Sequence, residues 1–350
     1  MSFLDDNTAY ETWLRTQCDV DEPGLVRKHG KMDSDPFPFL RATFFRWARQ
    51  AEKICPDLKG APSVLSVGDT HLENFGTWRD AEGRWVWGFN DFDEAAVMPW
   101  AFDLVRLMAS VRVMPGRAIG GREAAEAVID GYRRGLSAPR PTLLDEQETW
   151  MRRFVACTDD DRREFWDEIA GLPDIQPPPR AVDGLRRNVP GGAVIERFAK
   201  RTKGAGGLGR PRYVAVALWR GGHVVREAKA AVPSTWEWQH GLLPGNHFLA
   251  AATGRHRSPD PFLTVHDGFI FRRLAADSRK VELRDLTSPG LTAGLVRAMG
   301  FDLGSIHAAT DGAADAILAD LRARPADWLR DASRAAARAV EDDWEEWKRR

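Results

Sequence analysis

The sequence has few cysteines, no long apolar run and no excess of charge of either sign. Its three cysteines, Cys18, Cys55 and Cys157, fit no zinc or Cys-x-x-Cys spacing, and their odd number argues against a disulfide framework. No stretch approaches the roughly 18 apolar residues that a membrane-spanning helix needs. The 50 basic and 51 acidic residues give a formal net charge of −1. This balance argues against a general binder of nucleic acids or membrane surfaces.

The beginning of the chain predicts a cytoplasmic protein. The opening residues MSFLDDNTAYETW lack the basic start and the apolar run of a signal peptide. We therefore expect neither a membrane partner nor a nucleic-acid partner. The chain has 350 residues and is 43% hydrophobic, which is enough to bury a sizeable core in one large domain or in two lobes.

Periodicity divides the chain into three parts and predicts an α+β fold. Residues 1–180 are predicted to form a helical lobe that also contains strands at Ser63–Val67 and Trp85–Phe89. Residues 181–288 are predicted to form a small sheet lobe, and residues 289–350 helices that return to the large lobe. Four segments of the sheet lobe have strand character: Tyr213–Trp219, Val224–Ala228, Leu263–His266 and Phe269–Leu274.

Helical spacing is clearest in segments outside the predicted sheet lobe. One helix is predicted over Phe37–Cys55, and another over Phe102–Val113. The apolar stripe Leu295–Ile306, which ends next to His307, is expected to lead from the small lobe into the large one. The stretch Ala314–Arg350 is expected to be an Ala- and charge-rich helix whose closing run EDDWEEWKRR is a solvated face.

Polar side chains follow two neighbouring predicted strands. Asp69 and Asn74 lie in GDTHLENFG after the first strand, and Asp91 and Asp93 lie in NDFDEA after the second. A strand–turn–strand unit between them would bring both loops to one edge. Phosphoryl transfer needs a carboxylate near the attacking hydroxyl and oxygen ligands that hold magnesium against the phosphates. Because Asp and Asn also cap ordinary turns, the prediction depends on the combination of residues.

A glycine-rich segment lies at the start of the predicted sheet lobe. Gly204, Gly206 and Gly209 have the spacing GxGxxG. A dinucleotide-binding fingerprint needs a helix directly after the glycines, but Pro211 and the strand-like run YVAVALW follow here. The order strand, glycine loop, strand instead indicates backbone N–H groups that close over phosphates.

The second strand after the glycine loop is expected to supply a cation for nucleotide phosphates. Alternation along this strand places Arg226 and Lys229 on opposite faces. Arg226 is slightly favoured by its position and Lys229 by its chemistry, so both are candidates. Glu237, in a helix predicted to begin near Ser234, is a candidate ion-pair partner for that cation.

The two acidic loops resemble those of kinase-like phosphotransferases. Their sequences are similar to the GDxHxxN and DFD loops of aminoglycoside and choline kinases. The resemblance implies that Asp69 is the catalytic carboxylate and that Asn74 and Asp91 bind magnesium. It implies that Asp93 is a secondary ligand or a hydrogen-bond anchor. His71 has two open roles, to orient the loop or to contact phosphate.

Two neighbouring positions also bear on this resemblance. In the kinase-like fold, an acidic residue on the helix after the metal loop braces the backbone of the catalytic loop, and Asp103 fits that place. A helix N-terminal acid is the alternative interpretation of Asp103. The residue before Gly68 is Val67, where many relatives have histidine.

The order of the motifs is reversed relative to ordinary kinases, since the glycine loop follows the catalytic loop. A circularly permuted fold would account for this order, because native contacts do not depend on where the chain is cut. From about Lys31 to Ala309 the chain resembles the bacterial domain of unknown function 2252 family, which is regarded as kinase-like in its motifs. The matching segments are KMDSDPFPFLRATFF, GDTHLENFG, NDFDEAA, GAGGLG, REAKAAVPS and LGSIHA.

The sequence therefore predicts a phosphotransferase that uses ATP and magnesium and acts on an unknown hydroxyl-bearing acceptor, either a small molecule or a protein. A nucleotidyltransferase would use the same site with ATP reversed. A non-catalytic, nucleotide-binding pseudokinase is favoured by the departures at Val67 and Arg226. A metallophosphoesterase is the remote alternative, since GDTH and Gly245-Asn246-His247 resemble two of its metal motifs, but no late Gly-His-x-His is present.

Overall fold

The computed structural model describes residues 2–245 and 247–350, and the predicted α+β class is confirmed. Asn246, which belongs to the metallophosphoesterase-like motif, lies outside the described residues. The helices are α1 Phe3–Gln17, α2 Glu22–Ser34, α3 Pro36–Ala42, α4 Phe44–Ile54, α5 Ala101–Val113, α6 Gly121–Ser137, α7 Arg152–Val155, α8 Asp159–Ala170, α9 Pro179–Asn188, α10 Thr235–Gln239, α11 His247–Ala252, α12 Pro289–His307, α13 Ala313–Ala323 and α14 Trp328–Lys348.

The strands form three antiparallel groups. Their bounds are β1 Ser63–Ser66, β2 Phe75–Arg79, β3 Trp85–Phe89, β4 Ala96–Pro99, β5 Thr142–Leu143, β6 Val194–Lys200, β7 Arg212–Trp219, β8 Gly222–Ala230, β9 Thr264–His266 and β10 Phe269–Leu274. The largest sheet has the order β6-β7-β8-β10-β9 and is continuous in sequence except for α10 and α11. The smaller groups are β2-β3-β5 and the pair β1-β4, which position the two acidic loops.

Helix α5 lies at the centre of the helical part. Every one of its residues is buried except Arg112, which is half-buried. A helix that is apolar nearly all round belongs inside a core rather than on its surface. Its first turn carries Asp103, so an almost fully buried helix lies directly behind the loop that follows β1.

Two predicted helices are interrupted in the structure. The segment Phe37–Cys55 divides into α3 and α4 at Thr43, whose hydroxyl donates to the carbonyl of Phe39 at 2.8 Å. The stretch Ala314–Arg350 divides into α13 and α14 near Pro325, because proline has no N–H to continue the helix. Within the described residues, none of the helices is both long and apolar enough to span a membrane.

Helices α6 and α12 approach each other through paired glycines. A Cβ atom at Gly131 would lie 1.8 Å from the carbonyl oxygen of Arg297, and one at Gly304 would lie 2.4 Å from that of Tyr132. The neighbouring turns repeat this arrangement at Gly135. Backbone therefore meets backbone at this contact, and it has no room for a methyl group.

We expect Gly131→Ala to lower the free energy of unfolding by about 2–3 kcal/mol, since the added methyl meets rigid backbone. The matched control is Gly290→Ala, in the first turn of α12, where a Cβ meets nothing within 4 Å. That control should be neutral or slightly stabilising. Urea unfolding of both variants measures the difference, and equal stabilities would contradict the close approach of the two helices.

Candidate functional site

A central cavity of about 470 Å³ lies between the large sheet and the helical part. Gly204 and Gly206 line it together with Asp69, Asn74 and Asp91. The glycine loop also comes close to the loop after β1, because a Cβ at Gly206 would lie 3.6 Å from Asp69 Oδ2. Two stretches that are far apart in the chain therefore face one shared cavity.

The loop after β1 is held from behind by Asp103. The fully buried carboxylate of Asp103 accepts hydrogen bonds from the backbone N–H groups of Val67 at 2.9 Å and Gly68 at 3.0 Å. His307 Nε2, at the end of α12, lies 3.0 Å from Asp103 Oδ2. The brace that the sequence predicts for Asp103 is present, and α12 supplies it with a partner.

The turn at Gly68 requires glycine. Its φ is +81°, in the left-handed region, and a Cβ there would lie 2.3 Å from the carbonyl oxygen of Glu94. This close approach joins the loop after β1 to the loop after β3. The backbone between Val67 and Asp69 is thus fixed by two neighbouring segments at once.

Asp69 has one oxygen paired and one directed toward the cavity. Arg106 binds Asp69 Oδ1 through Nε at 2.8 Å and Nη2 at 2.7 Å, and it also donates to the carbonyl of Leu40. Burial raises the pKa of Asp69, and the guanidinium of Arg106 opposes that rise. The second oxygen, Oδ2, faces the glycine loop near Gly206, where a substrate hydroxyl could reach it.

His71 and Asn74 shape the same loop. The buried ring of His71 accepts from the N–H of Glu73 through Nδ1 at 3.2 Å. Burial and nearby cations hold the pKa of His71 well below its ordinary value, so the ring is neutral. Asn74 Nδ2 donates to the carbonyl of Asp69 at 2.8 Å, which leaves Oδ1 of Asn74 as its remaining acceptor. His71 thus holds the backbone at Glu73 and also lines the cavity.

The two aspartates of the loop after β3 have different partners. Asp93 forms ion pairs with Lys229 and, at 3.0 Å, with Arg210. Asp91 Oδ1 lies 3.5 Å from the ammonium of Lys229, and its side chain is 36% exposed. Burial alone would raise the pKa of Asp91, but the surrounding cations, above all Lys229, lower it below its usual range. Asp93 is therefore held through Oδ2, its Oδ1 has no hydrogen-bond partner among the described residues, and Asp91 is the charged, accessible carboxylate.

Among the described residues, no cluster of three or more His, Cys, Asp or Glu side chains forms a ready metal cage. Magnesium, however, commonly binds through one or two carboxylates, waters and the phosphates of a substrate. The accessible carboxylate of Asp91 and the amide oxygen of Asn74 both line the cavity and have this chemistry. The residues fit an ion that arrives with a nucleotide.

A known protein family matches the part of the chain that carries the two acidic loops. Residues 21–165 match the family described as an uncharacterized protein conserved in bacteria, DUF2252. The family prediction is confirmed over this segment. No curated protein and no solved structure matches the chain. The DUF2252 match includes Asp69, Asn74 and Asp91, whereas the glycine loop lies beyond it.

Downstream of the DUF2252 match, the glycine loop joins β6 to β7 as predicted. Gly204 and Gly209 have φ values of +97° and +92°, which L side chains rarely adopt. Gly204 and Gly206 line the cavity, but Gly209 packs against Leu25 of α2, where a Cβ would lie 2.5 Å from the leucine Cδ2. Gly209 therefore closes the loop against the helical part rather than facing a ligand.

The structure does not bring Arg226, the slightly favoured phosphate cation, to the cavity. Arg226 Nε donates to the carbonyl of Asn188 at 2.9 Å, and its guanidinium lies 3.9 Å from the ring centroid of Phe262. It therefore lies on the face of β8 opposite that of Lys229, as strand alternation requires. Of the two candidates, only Lys229 reaches the acidic loops.

Glu237 does not pair with either candidate cation. Its Oε1 accepts from the N–H of Gly245 at 2.9 Å and lies 3.2 Å from His247 Nε2. These partners come from the segment that follows α10. The carboxylate of Glu237 thus fixes its own connection to α11, and the predicted ion pair is absent.

Sequence reasoning missed Glu94 and Arg210, which join the two halves of the site. Arg210, at the end of the glycine loop, pairs with Asp93 and, at 3.0 Å, with Glu94. The other oxygen of Glu94 accepts from the N–H of Thr235 at 2.7 Å and from its hydroxyl at 2.9 Å. The position of Glu94 directly after the DFD triplet was the available signal.

A second missed group surrounds Glu227 on β8. Its fully buried carboxylate contacts arginines from three neighbouring segments: Arg201 beyond β6, Arg212 on β7 and Arg272 on β10. All three arginines line the cavity. The alternation that places Glu227 beside Lys229 on one face of β8 was the signal in the sequence.

Proposed function

We propose that this protein is a phosphotransferase that uses ATP and magnesium, built as a kinase-like fold in circularly permuted order. In this arrangement, residues 1–180 and 289–350 form the large lobe, and residues 181–288 form the small sheet lobe. The shared cavity is the observation that carries the proposal, since the glycine loop and both acidic loops line it. Its volume of about 470 Å³ is typical of a small-molecule site.

The side chains of the cavity suggest how the reaction would proceed. The glycine loop would lie over the phosphates, and Asn74 and Asp91 would hold magnesium, which neutralises charge on the phosphates. Asp69 would orient the acceptor hydroxyl and take its proton as that oxygen bonds to the γ-phosphorus and the bond to ADP breaks. Arg106 keeps one carboxylate oxygen of Asp69 fixed, so the other is positioned before the acceptor arrives.

The path of the chain supports a permuted order. The five strands β6 to β10 come from one continuous stretch, and α12 then returns to pack on α6 in the helical part. The side chain of His307 at the end of α12 reaches Asp103 behind the catalytic loop. This helix would therefore lead from the small lobe into the large lobe.

Calorimetric titration with ATP, with and without magnesium, tests the proposal. Wild-type protein should bind ATP more tightly when magnesium is present. Asp91→Ala should weaken magnesium-dependent ATP binding by about 10- to 100-fold or more. Changes to the partners of metal ligands typically cost that much, and Asp91 is itself a proposed ligand. Asp277→Ala is the matched control, since its side chain is also 36% exposed and also pairs with one cation, Arg79.

The control variant should keep wild-type affinity, and without magnesium the Asp91→Ala protein should approach the affinity of the wild type. Failure of wild-type protein to bind ATP with magnesium would overturn the proposed function. Equal magnesium dependence in the wild type and in Asp91→Ala would remove Asp91 from the role of ligand.

A further inference from the structure

We propose that Arg212, with Arg272 beside it, binds the phosphate chain of the nucleotide, and that Lys229 instead fixes the aspartates of the metal loop. The inference deepens the proposed function and rests on it for the identity of the ligand. It assigns the phosphate cation to β7 and β10 rather than to β8, where the sequence pattern places it.

The strand register puts these residues on one face of the sheet. Arg212 of β7 lies directly opposite Lys229 of β8, and Arg272 of β10 lies directly opposite Glu227 of β8. Directly opposed residues in antiparallel strands project from the same face. Glu227 and Lys229 are two residues apart on β8 and share that face, so all four side chains project to the side of the cavity.

Glu227 holds the arginines in place. Its Oε1 accepts from Arg201 Nη1 at 2.8 Å, and its Oε2 lies 2.7 Å from Arg272 Nε and 3.7 Å from Arg212 Nη1. These cations keep the pKa of Glu227 well below its ordinary value despite burial, so the carboxylate is charged. Glu227 alone supplies one negative charge to three guanidinium groups, so it cannot pair fully with each of them.

Arg212 has the least complete set of partners in this group. Its side chain is 7% exposed, and its Nε has no hydrogen-bond partner within residues 2–245 and 247–350. Arg201, by contrast, also pairs with Glu168 at 3.0 Å. A buried N–H without a partner is costly, and a bound anion would satisfy it.

The position of Arg212 relative to the glycine loop identifies the anion. Arg212 Nη2 lies 2.6 Å from the place a Cβ would occupy at Gly207, and 3.6 Å from that at Gly204. The guanidinium therefore lies directly against the loop whose N–H groups would close over phosphates. Its planar fork can bind two oxygens of a phosphate group at once.

Lys229 is already occupied by the metal loop. Its ammonium contacts both Asp91 and Asp93, and its side chain is only 4% exposed. These contacts use two of the three N–H donors of the amine, and Asp93, the more buried of the two aspartates, holds it in place. Lys229 is thus a positioning residue that orients the carboxylate of Asp91.

The test compares Arg212→Met with Arg226→Met, since both remove a buried arginine from neighbouring strands of the same sheet. Each folded variant is titrated with ATP plus magnesium, with tripolyphosphate and with adenosine. Arg212→Met should weaken binding of ATP and of tripolyphosphate by about 10- to 100-fold, as expected for lost charge-assisted hydrogen bonds, and leave adenosine binding unchanged. Arg226→Met should bind all three ligands as the wild type does.

The possible results separate this inference from the proposed function. If the wild type binds ATP and Arg212→Met binds it equally well, the inference is overturned and the proposed function stands. If the wild type binds tripolyphosphate through Arg212 but shows no preference for ATP, the anion site stands and the proposed function fails. A loss of affinity in Arg226→Met instead of Arg212→Met would also overturn the inference.

Arg212→Lys provides a second variant in case the methionine disturbs folding. It keeps the positive charge beside Glu227 and loses the planar fork, so a smaller loss of tripolyphosphate affinity, about 3- to 10-fold, is expected. Thermal melting without ligand establishes that each variant is folded. If Arg212→Met does not fold, wild-type tripolyphosphate affinity in Arg212→Lys overturns the inference.

Discussion

Asp69→Asn is expected to lower magnesium-dependent release of γ-phosphate from ATP by about 10²- to 10⁴-fold, the usual contribution of a positioned general base. Asparagine cannot take a proton from the attacking hydroxyl. Its amide oxygen can still accept from Arg106, which binds Asp69 through a single oxygen, Oδ1. Folding and nucleotide binding should therefore survive, and only turnover should fall. Release of labelled γ-phosphate into water measures this rate without knowledge of the acceptor.

The control for this experiment is Asp277→Asn, which makes the same chemical change at a carboxylate that pairs with Arg79 and does not line the cavity. Its rate should equal that of the wild type. Undiminished phosphate release by Asp69→Asn would exclude Asp69 as the base. Loss of ATP binding in that variant would assign the carboxylate to ligand binding instead.

The parts of the site that the sequence predicted are those with strong local patterns. The strands β3 and β10 have the predicted bounds, and the loops that carry Asp69 and Asp91 follow strands as expected. Short alternating runs between turn residues define such strands without information from the rest of the chain. The pairing of distant loops in one cavity could be proposed only from the order of the motifs.

The choice between Arg226 and Lys229 shows where local reasoning ends. Alternation correctly places the two side chains on opposite faces of β8. Which face meets the cavity depends on α9 and on Phe262, which lie far from β8 in sequence and enclose Arg226. A cation on the face toward α9 has the same local sequence pattern as one on the face toward the cavity.

Helix α8 was not predicted from the sequence, because it has no clear apolar stripe. Helix α8 has few buried residues and is favoured instead by a capping box between Thr158 and Asp161. Its Glu168 pairs with Lys203 at 2.6 Å, across the mouth of the cavity. The pattern Thr-x-x-Asp was the available signal for the start of this helix. A search for hydrophobic periodicity does not detect it.

Asp103→Ala is expected to lower the free energy of unfolding by about 3–5 kcal/mol, since two buried N–H groups left without an acceptor cost about 1–3 kcal/mol each. The N–H groups of Val67 and Gly68 would lose their acceptor, and His307 would keep Tyr132 but lose its partner at Nε2, all inside the core. Urea unfolding measures the change. The control is Asp311→Ala, whose side chain is 94% exposed and pairs with Arg255, so its effect should stay within about 1 kcal/mol.

The same variant tests whether the brace serves the site as well as the core. Within the loop after β1, the carboxylate of Asp103 binds the backbone before Asp69, so its loss should loosen that loop and leave the glycine loop and Lys229 in place. Under conditions in which Asp103→Ala is folded, turnover should fall while ATP affinity stays near that of the wild type. Wild-type stability and wild-type turnover together would contradict the brace, because two buried N–H groups cannot lose their acceptor without cost.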